Sequence, residues 1–464
     1  MATVEWSDPN KSKGSPAKAR YPSGKGEVCK TFMRRFDPDP RLQIPLNKLV
    51  RLQQVGEKAR GRFPIWMRRP WFRHGFQSGR GYMLATCRAH VMLQTGNMAT
   101  GLERKSSMKS LLLTEYRKFE LADLPRPEPG EHEVLIRVAA CGICGSDVHG
   151  YDGSSGRRIP PIVMGHEAAG VIAAVGKDVR GFGIGDRVTF DSTVYCGACA
   201  FCRRGEVNLC ESRQVIGVSC GDYRRAGAFA EYIVVPERIL YRLPAGMSFP
   251  EAAMLEAVSV ALHAVRMSQC AGNETALVVG AGMIGLLTMQ SAKAAGFARV
   301  VIADIDATRL KLAESLGADG VIPGSGSEVV AAVREYTAGL GADVVFEAVG
   351  RNETVSASID SVRKGGTVVL IGNIAAEVAL PLQKVVTRQI RLQGTAASAG
   401  EYPAAIELVA SGRIQVKPLI TAVAPLEDGP RWFERLYARE ANLMKVVLTA
   451  QTEDRTAPES TEAP

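Results

Sequence analysis

The sequence predicts an α/β protein with a mostly-β part and a doubly wound parallel-sheet part. Three observations predict it. Short β-rich runs at 134–139, 169–175 and 187–190 come first, bounded by Gly, Pro and Asp. From about residue 275, strand-like and helical runs alternate, which implies parallel strands with helices on both faces. A glycine-rich turn, Gly280-Ala-Gly282-Met283-Ile284-Gly285, sits between the first of these strands and the helix after it.

The elements follow in order. Met108 opens a first strand. The alternating region reads as strand 276–279, helix 283–295, strand 300–303, helix 306–316, strand 344–346, helix 353–363 and strand 367–371. After about residue 395 the chain turns mixed and closes on a strand at 445–448, and a polar tail begins at Thr452.

The 464 residues are 46% hydrophobic and 23% charged, a globular composition that excludes wholesale disorder and a disulfide knot. No run of 18 apolar residues suggests a membrane span, and no secretion signal is visible, so the cytoplasm is the expected location. The charge of +9 is unevenly placed: residues 1–107 hold 21 Lys and Arg against 7 Asp and Glu, and the rest hold 36 against 41. The mildly acidic body gives no reason to expect a nucleic-acid partner. The 1–107 segment has three readings: a targeting segment, a basic arm, or an over-extended reading frame whose true start is Met108. The third is preferred, because regular patterning begins at Met108.

In the glycine turn, Gly280 permits a tight bend, Gly282 lets backbone approach a pyrophosphate, and Gly285 lets helix and strand pack closely. The helix N-terminus there offers free N–H groups to phosphates. Asp304 ends the next strand, where a carboxylate binds ribose hydroxyls and repels a 2′-phosphate, which argues for NAD. Arg309 is near enough to neutralise such a phosphate, but is read first as a solvated helix residue.

Four cysteines, Cys196, Cys199, Cys202 and Cys210, follow C-x2-C-x2-C-x7-C spacing. Their density suits a closed tetrahedral metal site, zinc or an iron–sulfur cluster, better than a disulfide pair. A second group comprises Cys141-Gly-Ile-Cys144-Gly-Ser146-Asp-Val-His149 and Gly165-His166-Glu167. One thiolate, one imidazole and one carboxylate from separate loops make a plausible open zinc site.

Taken with Gly185-Asp-Arg-Val188, these motifs resemble the zinc-dependent medium-chain dehydrogenases of the alcohol and polyol superfamily, from Met108 to about Leu448. The resemblance implies a GroES-like catalytic domain at 108–258 with a structural zinc lobe at 196–210. It implies a Rossmann NAD domain at 259–396, a return to the catalytic domain at 397–448 and a free tail at 449–464. It implies Cys144, His166 and Glu167 as catalytic-zinc ligands, with Cys141 structural. Glu256, in Leu255-Glu256-Ala-Val-Ser259-Val, matches the glutamate of the polyol branch, and either Glu167 or Glu256 bonds the ion directly. Ser146 and His149 match the relay that carries the alcohol proton to solvent, and the hydride passes to NAD.

The implied activity is oxidation of a secondary alcohol or polyol, sorbitol-like, with or without a phosphate, by an enzyme with two zinc ions per chain that forms a dimer or tetramer. Threonine 3-dehydrogenase and butanediol dehydrogenase activities are alternatives, as is a non-catalytic NAD- and zinc-binding module. One departure stands out: sorbitol dehydrogenases carry an Arg-Tyr pair in the stretch after the last Rossmann strand, where this chain has Gly394-Thr-Ala-Ala397-Ser398-Ala and no cation. Arg157 and Arg158 are read as phosphate binders or, at least equally, as solvated loop charges.

Overall fold

The computed structural model describes residues 107–219, 224–270 and 272–450. The expectations for residues 1–106 and for the tail beyond Ala450 lie outside the described residues.

The first part is mostly β. Its strands are β1 (Ser107–Glu115), β2 (Lys118–Pro125), β3 (Glu133–Gly142), β4 (Ile162–Val163), β5 (Glu167–Val175), β6 (Arg187–Phe190), β7 (Thr193–Val194), β8 (Gln214–Val215), β9 (Tyr232–Pro236) and β10 (Leu240–Arg242). Four short helices interrupt or follow them: α1 (Gly145–Tyr151), α2 (Ala200–Arg203), α3 (Phe249–Ala253) and the longer α4 (Leu255–Met267).

Seven parallel-sheet α/β elements and their connections follow: β11 (Thr275–Val279), α5 (Met283–Ala294), β12 (Arg299–Asp304), α6 (Ala307–Ser315), β13 (Gly320–Pro323), α7 (Ser327–Tyr336) and β14 (Ala342–Glu347). The chain continues through α8 (Asn352–Ser361), β15 (Val362–Leu370), α9 (Leu382–Thr387), β16 (Arg391–Gly394), α10 (Tyr402–Ala410), β17 (Ile420–Pro425), α11 (Gly429–Tyr437) and β18 (Lys445–Thr449).

Strand order β13-β12-β11-β14-β15-β16, all parallel, is the doubly wound arrangement the alternation predicts. Side chains alternate across it as strand geometry requires. Ala276 and Val278 of β11 join one buried cluster with Leu286 of α5, while Leu277 and Val279 join another with Val329 and Val333 of α7. Both faces are therefore covered, which is why these strands read as continuous apolar runs. Sequence reading missed β13 and α7. The strand is a four-residue edge ending in Pro323, and only Val329 and Val333 are fully buried on the helix.

In the first part, the main sheet runs β10-β6-β5-β3-β18-β17, with β9 also against β3. Leu448 pairs with Cys141 and Val447 with Gly142, so the last strand returns to the sheet of the first part. Helix 353–363 of the sequence reading ends earlier, at Ser361, and β15 starts at Val362. Among the described residues no helix is long and apolar enough to cross a membrane.

Candidate active site and cysteine lobe

Strand register builds the site. Gly142, the last residue of β3, pairs with Glu167, the first of β5. The chain leaving β3 therefore delivers Cys144 beside His166 and Glu167. Cys144 caps α1, and its N–H donates to Asp147 Oδ2 at 3.2 Å. One ligand atom each from Cys144, His166 and Glu167 lies within 4.8 Å of the others.

Polar packing around these residues is specific. Asp147 is fully buried and lies 3.4 Å from His166 Nδ1 and 3.0 Å from Arg158 Nη2. Burial alone would raise its pKa, but the His166 and Arg158 charges overcome that and take it down to about 2. A carboxylate beside a ligating imidazole fixes the ring. Glu167 is also fully buried: Oε2 meets Lys445 Nζ at 2.5 Å, while Oε1 has no hydrogen-bond partner. An orphaned, buried carboxylate oxygen next to a thiol and an imidazole is the donor set a zinc ion requires. The residues therefore fit the ion.

Glu256, near the start of α4, is half-buried and stands outside this three-ligand group. Its Oε1 accepts from Ser192 Oγ at 3.4 Å. Burial pushes its pKa up to about 7 against the pull of His166, with Glu167 and Asp191 adding to the rise. His166 and Glu167 are thus among its charged neighbours.

Ser146 and His149 lie on α1. Ser146 Oγ accepts from Arg158 Nη2 at 3.1 Å, which leaves its own O–H free to donate elsewhere. His149 is exposed and lines a cleft of about 990 Å³ together with Ile143, Val148, Gly280, Asp304 and Arg309.

The far side of that cleft is the glycine turn. Gly280 has φ +101°, a conformation that suits glycine. A Cβ on Gly285 would lie 1.7 Å from Gly280 O, whereas one on Gly282 would meet nothing within 4 Å. The first glycine thus lets helix and turn touch, and the second leaves room for a phosphate. Met283 and Ile284 begin α5 and pack against the core cluster that holds Leu286. Asp304 is held by the turn itself, since Oδ2 accepts from Ala281 N at 2.6 Å. Asp306, not Asp304, caps α6, by accepting from Thr308 N and Arg309 N. Arg309 is exposed, 3.6 Å from Asp306 Oδ2.

In the second cluster, Cys196, Cys199, Cys202 and Cys210 have their sulfurs within 4.8 Å of one another, and none is in a disulfide. Backbone amides point at the sulfurs: Cys196 N–H donates to Cys210 Sγ at 3.2 Å, and Cys202 N–H to Cys199 Sγ at 3.5 Å. The amides of Cys202 and Glu211 lower the Cys199 thiol to about 6. Thiolate-stabilising amides around four converging sulfurs fit a closed metal site.

Two family models match the chain, an alcohol dehydrogenase GroES-like domain over residues 130–245 and a zinc-binding dehydrogenase over 284–411. The chain is 33% identical over 346 residues to sorbitol dehydrogenase of Bacillus subtilis (strain 168), covering 74% of this chain and 97% of that one. It is 37% identical over 332 residues to L-idonate 5-dehydrogenase of Vitis vinifera, covering 69% and 89%. The solved structure of galactitol-1-phosphate dehydrogenase from Escherichia coli superposes with TM-score 0.68 at 29% identity, covering 74% of this chain and all of that one.

The chain belongs to the zinc-type medium-chain dehydrogenases.

Three residues of this dehydrogenase's site were not found from the sequence. Lys445, 1% exposed, donates to Ile143 O at 3.1 Å and pairs with Glu167 across 278 positions. The only signal was a Lys opening an otherwise apolar strand, Lys445-Val-Val-Leu. Asp147 lies inside the Cys141–His149 run but drew no role. Arg158, read as a phosphate binder or solvated charge, is 4% exposed and committed to Asp147 and Ser146. Arg157 is exposed. Cys141 is buried in β3, in keeping with a structural role.

Proposed function

We propose that the protein oxidises a secondary alcohol or polyol to the ketone and passes the hydride to NAD. The observation that carries this is the Cys144–His166–Glu167 donor set beside a cleft that both His149 and Gly280 line. Cys144, His166 and Glu167 would hold a catalytic zinc, with Glu256 acting from the rim. The four-cysteine lobe would hold a second, structural zinc. When bound, the catalytic ion supplies Lewis acidity that lowers the pKa of a substrate hydroxyl.

This chain's residues do the rest. Asp147 orients His166, and Lys445 holds Glu167 Oε2 in place. Ser146, one lone pair engaged by Arg158, accepts the substrate hydroxyl proton on the other as it gives up its own proton toward His149 at the cleft. The turn from Gly280 to Gly285 seats the cofactor pyrophosphate at the start of α5, and Asp304 meets the adenosine ribose. Assay of NAD reduction with sorbitol, xylitol, L-idonate and a primary alcohol tests this reading. Turnover of a polyol supports it, and a fully zinc-loaded protein that oxidises none of them refutes it.

Cofactor choice gives one prediction. Asp304 presents a carboxylate where NADP carries a phosphate, so wild-type kcat/KM should be higher with NAD. Asp304→Ala should narrow the gap by about tenfold, roughly one lost charge repulsion. Higher wild-type kcat/KM with NADP would show that Arg309 governs the choice.

The domain reading gives another. A chain starting at Met108 should retain solubility, NAD binding and turnover within about twofold, since every motif residue lies after Met108. Loss of activity on this truncation would make residues 1–107 part of the working enzyme.

A homo-oligomer and a cytoplasmic site complete the proposal. Exposed Ile374, Leu380, Leu382 and Val386 on the approach to edge strand β16 support a self-association face. Free thiols throughout the described residues suit a reducing compartment. Light scattering of the purified chain distinguishes monomer from dimer or tetramer.

A further inference from the structure

The cysteine lobe is tied by hydrogen bonds to the 396–401 stretch and, through it, toward Glu256. Asn208 lies in the lobe between Cys202 and Cys210 and is 4% exposed. Its side-chain amide donates to Ala396 O at 2.8 Å and meets His263 Nε2 at 3.3 Å. His263, buried on α4, has Nδ1 2.9 Å from Glu401 Oε1. One tautomer balances these bonds: Nδ1 donates to the carboxylate, and bare Nε2 receives the Asn208 N–H. Glu401 also accepts from Ala399 N at 2.5 Å and pairs with Arg266 at 2.9 Å.

From the same stretch, Ser398 Oγ donates to buried Asp191 Oδ2 at 3.2 Å. Asp191 adjoins Ser192, whose Oγ donates to Glu256 Oε1. The bonds thus run from the lobe, through residues 396–401, to Glu256.

We propose that Asn208 is a positioning residue that ties the four-cysteine lobe to the 396–401 stretch and, through Asp191 and Ser192, holds Glu256 in place beside the proposed alcohol site. Without its amide, Ala396 O and His263 Nε2 lose their donor, and a buried network with missing members loosens. The kinetic part of this inference rests on the dehydrogenase reading, and the structural part does not.

The test uses the full chain with Asn208→Asp and Asn208→Leu, which share the loss of the donor but differ in polarity. Asn208→Ser, which keeps a hydroxyl donor, is the milder variant. Hydrogen exchange should accelerate at least about tenfold over residues 395–401 in the first two, and less in the third, because local opening follows lost hydrogen bonds. Zinc content should stay at the wild-type value. Cys199→Ser, which damages the lobe directly, should accelerate the same segment. With the first of sorbitol, xylitol or L-idonate found to be turned over, alcohol KM should rise at least about fivefold while NAD KM and kcat hold within about twofold. Unchanged exchange over 395–401 in both Asn208→Asp and Asn208→Leu overturns the proposal, as does an equal rise in both KM values. If none of the three polyols is oxidised, the substrate reading falls, and the exchange result still decides this one.

Discussion

Lys445→Met should destabilise the protein by about 3–5 kcal/mol, the usual cost of leaving one member of a buried ion pair uncompensated. The pair is closed from water: Lys445 is 1% exposed, Glu167 is fully buried, and their charged atoms are 2.5 Å apart. Methionine fills the same volume, so the loss is one of charge and not of packing. The double variant Lys445→Met/Glu167→Gln removes the stranded carboxylate and should recover most of the loss. Denaturant unfolding midpoints measure both. An unchanged midpoint in Lys445→Met would mean that the buried pair contributes nothing to stability. The sign of the pH dependence follows. Burial would lower the Lys445 pKa, but the Glu167 charge outweighs it and raises the value above the ordinary 10.5. The stabilisation is therefore complete below that ordinary value and disappears only as pH climbs through the raised one.

Glu256→Gln should lower turnover by about 10–100-fold while sparing NAD binding, the range seen when a carboxylate beside a metal ligand is removed. Glutamine preserves size and one oxygen and deletes the charge facing His166 and the ion they would share. The glycine turn, which seats NAD, is built from β11 and α5 and contains no part of this contact. Steady-state rates with a saturating polyol, NAD affinity by fluorescence quenching, and zinc content separate the effects. Normal turnover with normal zinc would reduce Glu256 to a packing residue at the start of α4.

Where local patterning carries the information, the sequence was a good guide. The Gly280–Gly285 turn, the Cys lobe and the alternating strands announce themselves through spacing, because glycine sterics, metal geometry and strand periodicity act over a few residues. What required the fold was the pairing of distant charges. Nothing near Lys445 in the chain says that Glu167 waits for it, and only the Gly142–Glu167 and Val447–Gly142 registers bring them together. Arg158 was misread for the same reason: a loop arginine next to an exposed one gives no sign that its partner, Asp147, lies in the core of the site. Short edge elements such as β13 also escaped, since four residues carry too little periodicity to stand out.

The central claim is zinc-assisted polyol oxidation with NAD. The most direct measurement is the appearance of NADH absorbance when the purified, zinc-loaded chain is mixed with NAD and each of sorbitol, xylitol, L-idonate and a primary alcohol, with and without a zinc chelator. The account predicts NADH from at least one polyol, faster than from the primary alcohol, and its loss on chelation. A protein that retains its zinc and NAD affinity yet yields NADH with no polyol, or yields it undiminished after the catalytic zinc is stripped, would contradict the account.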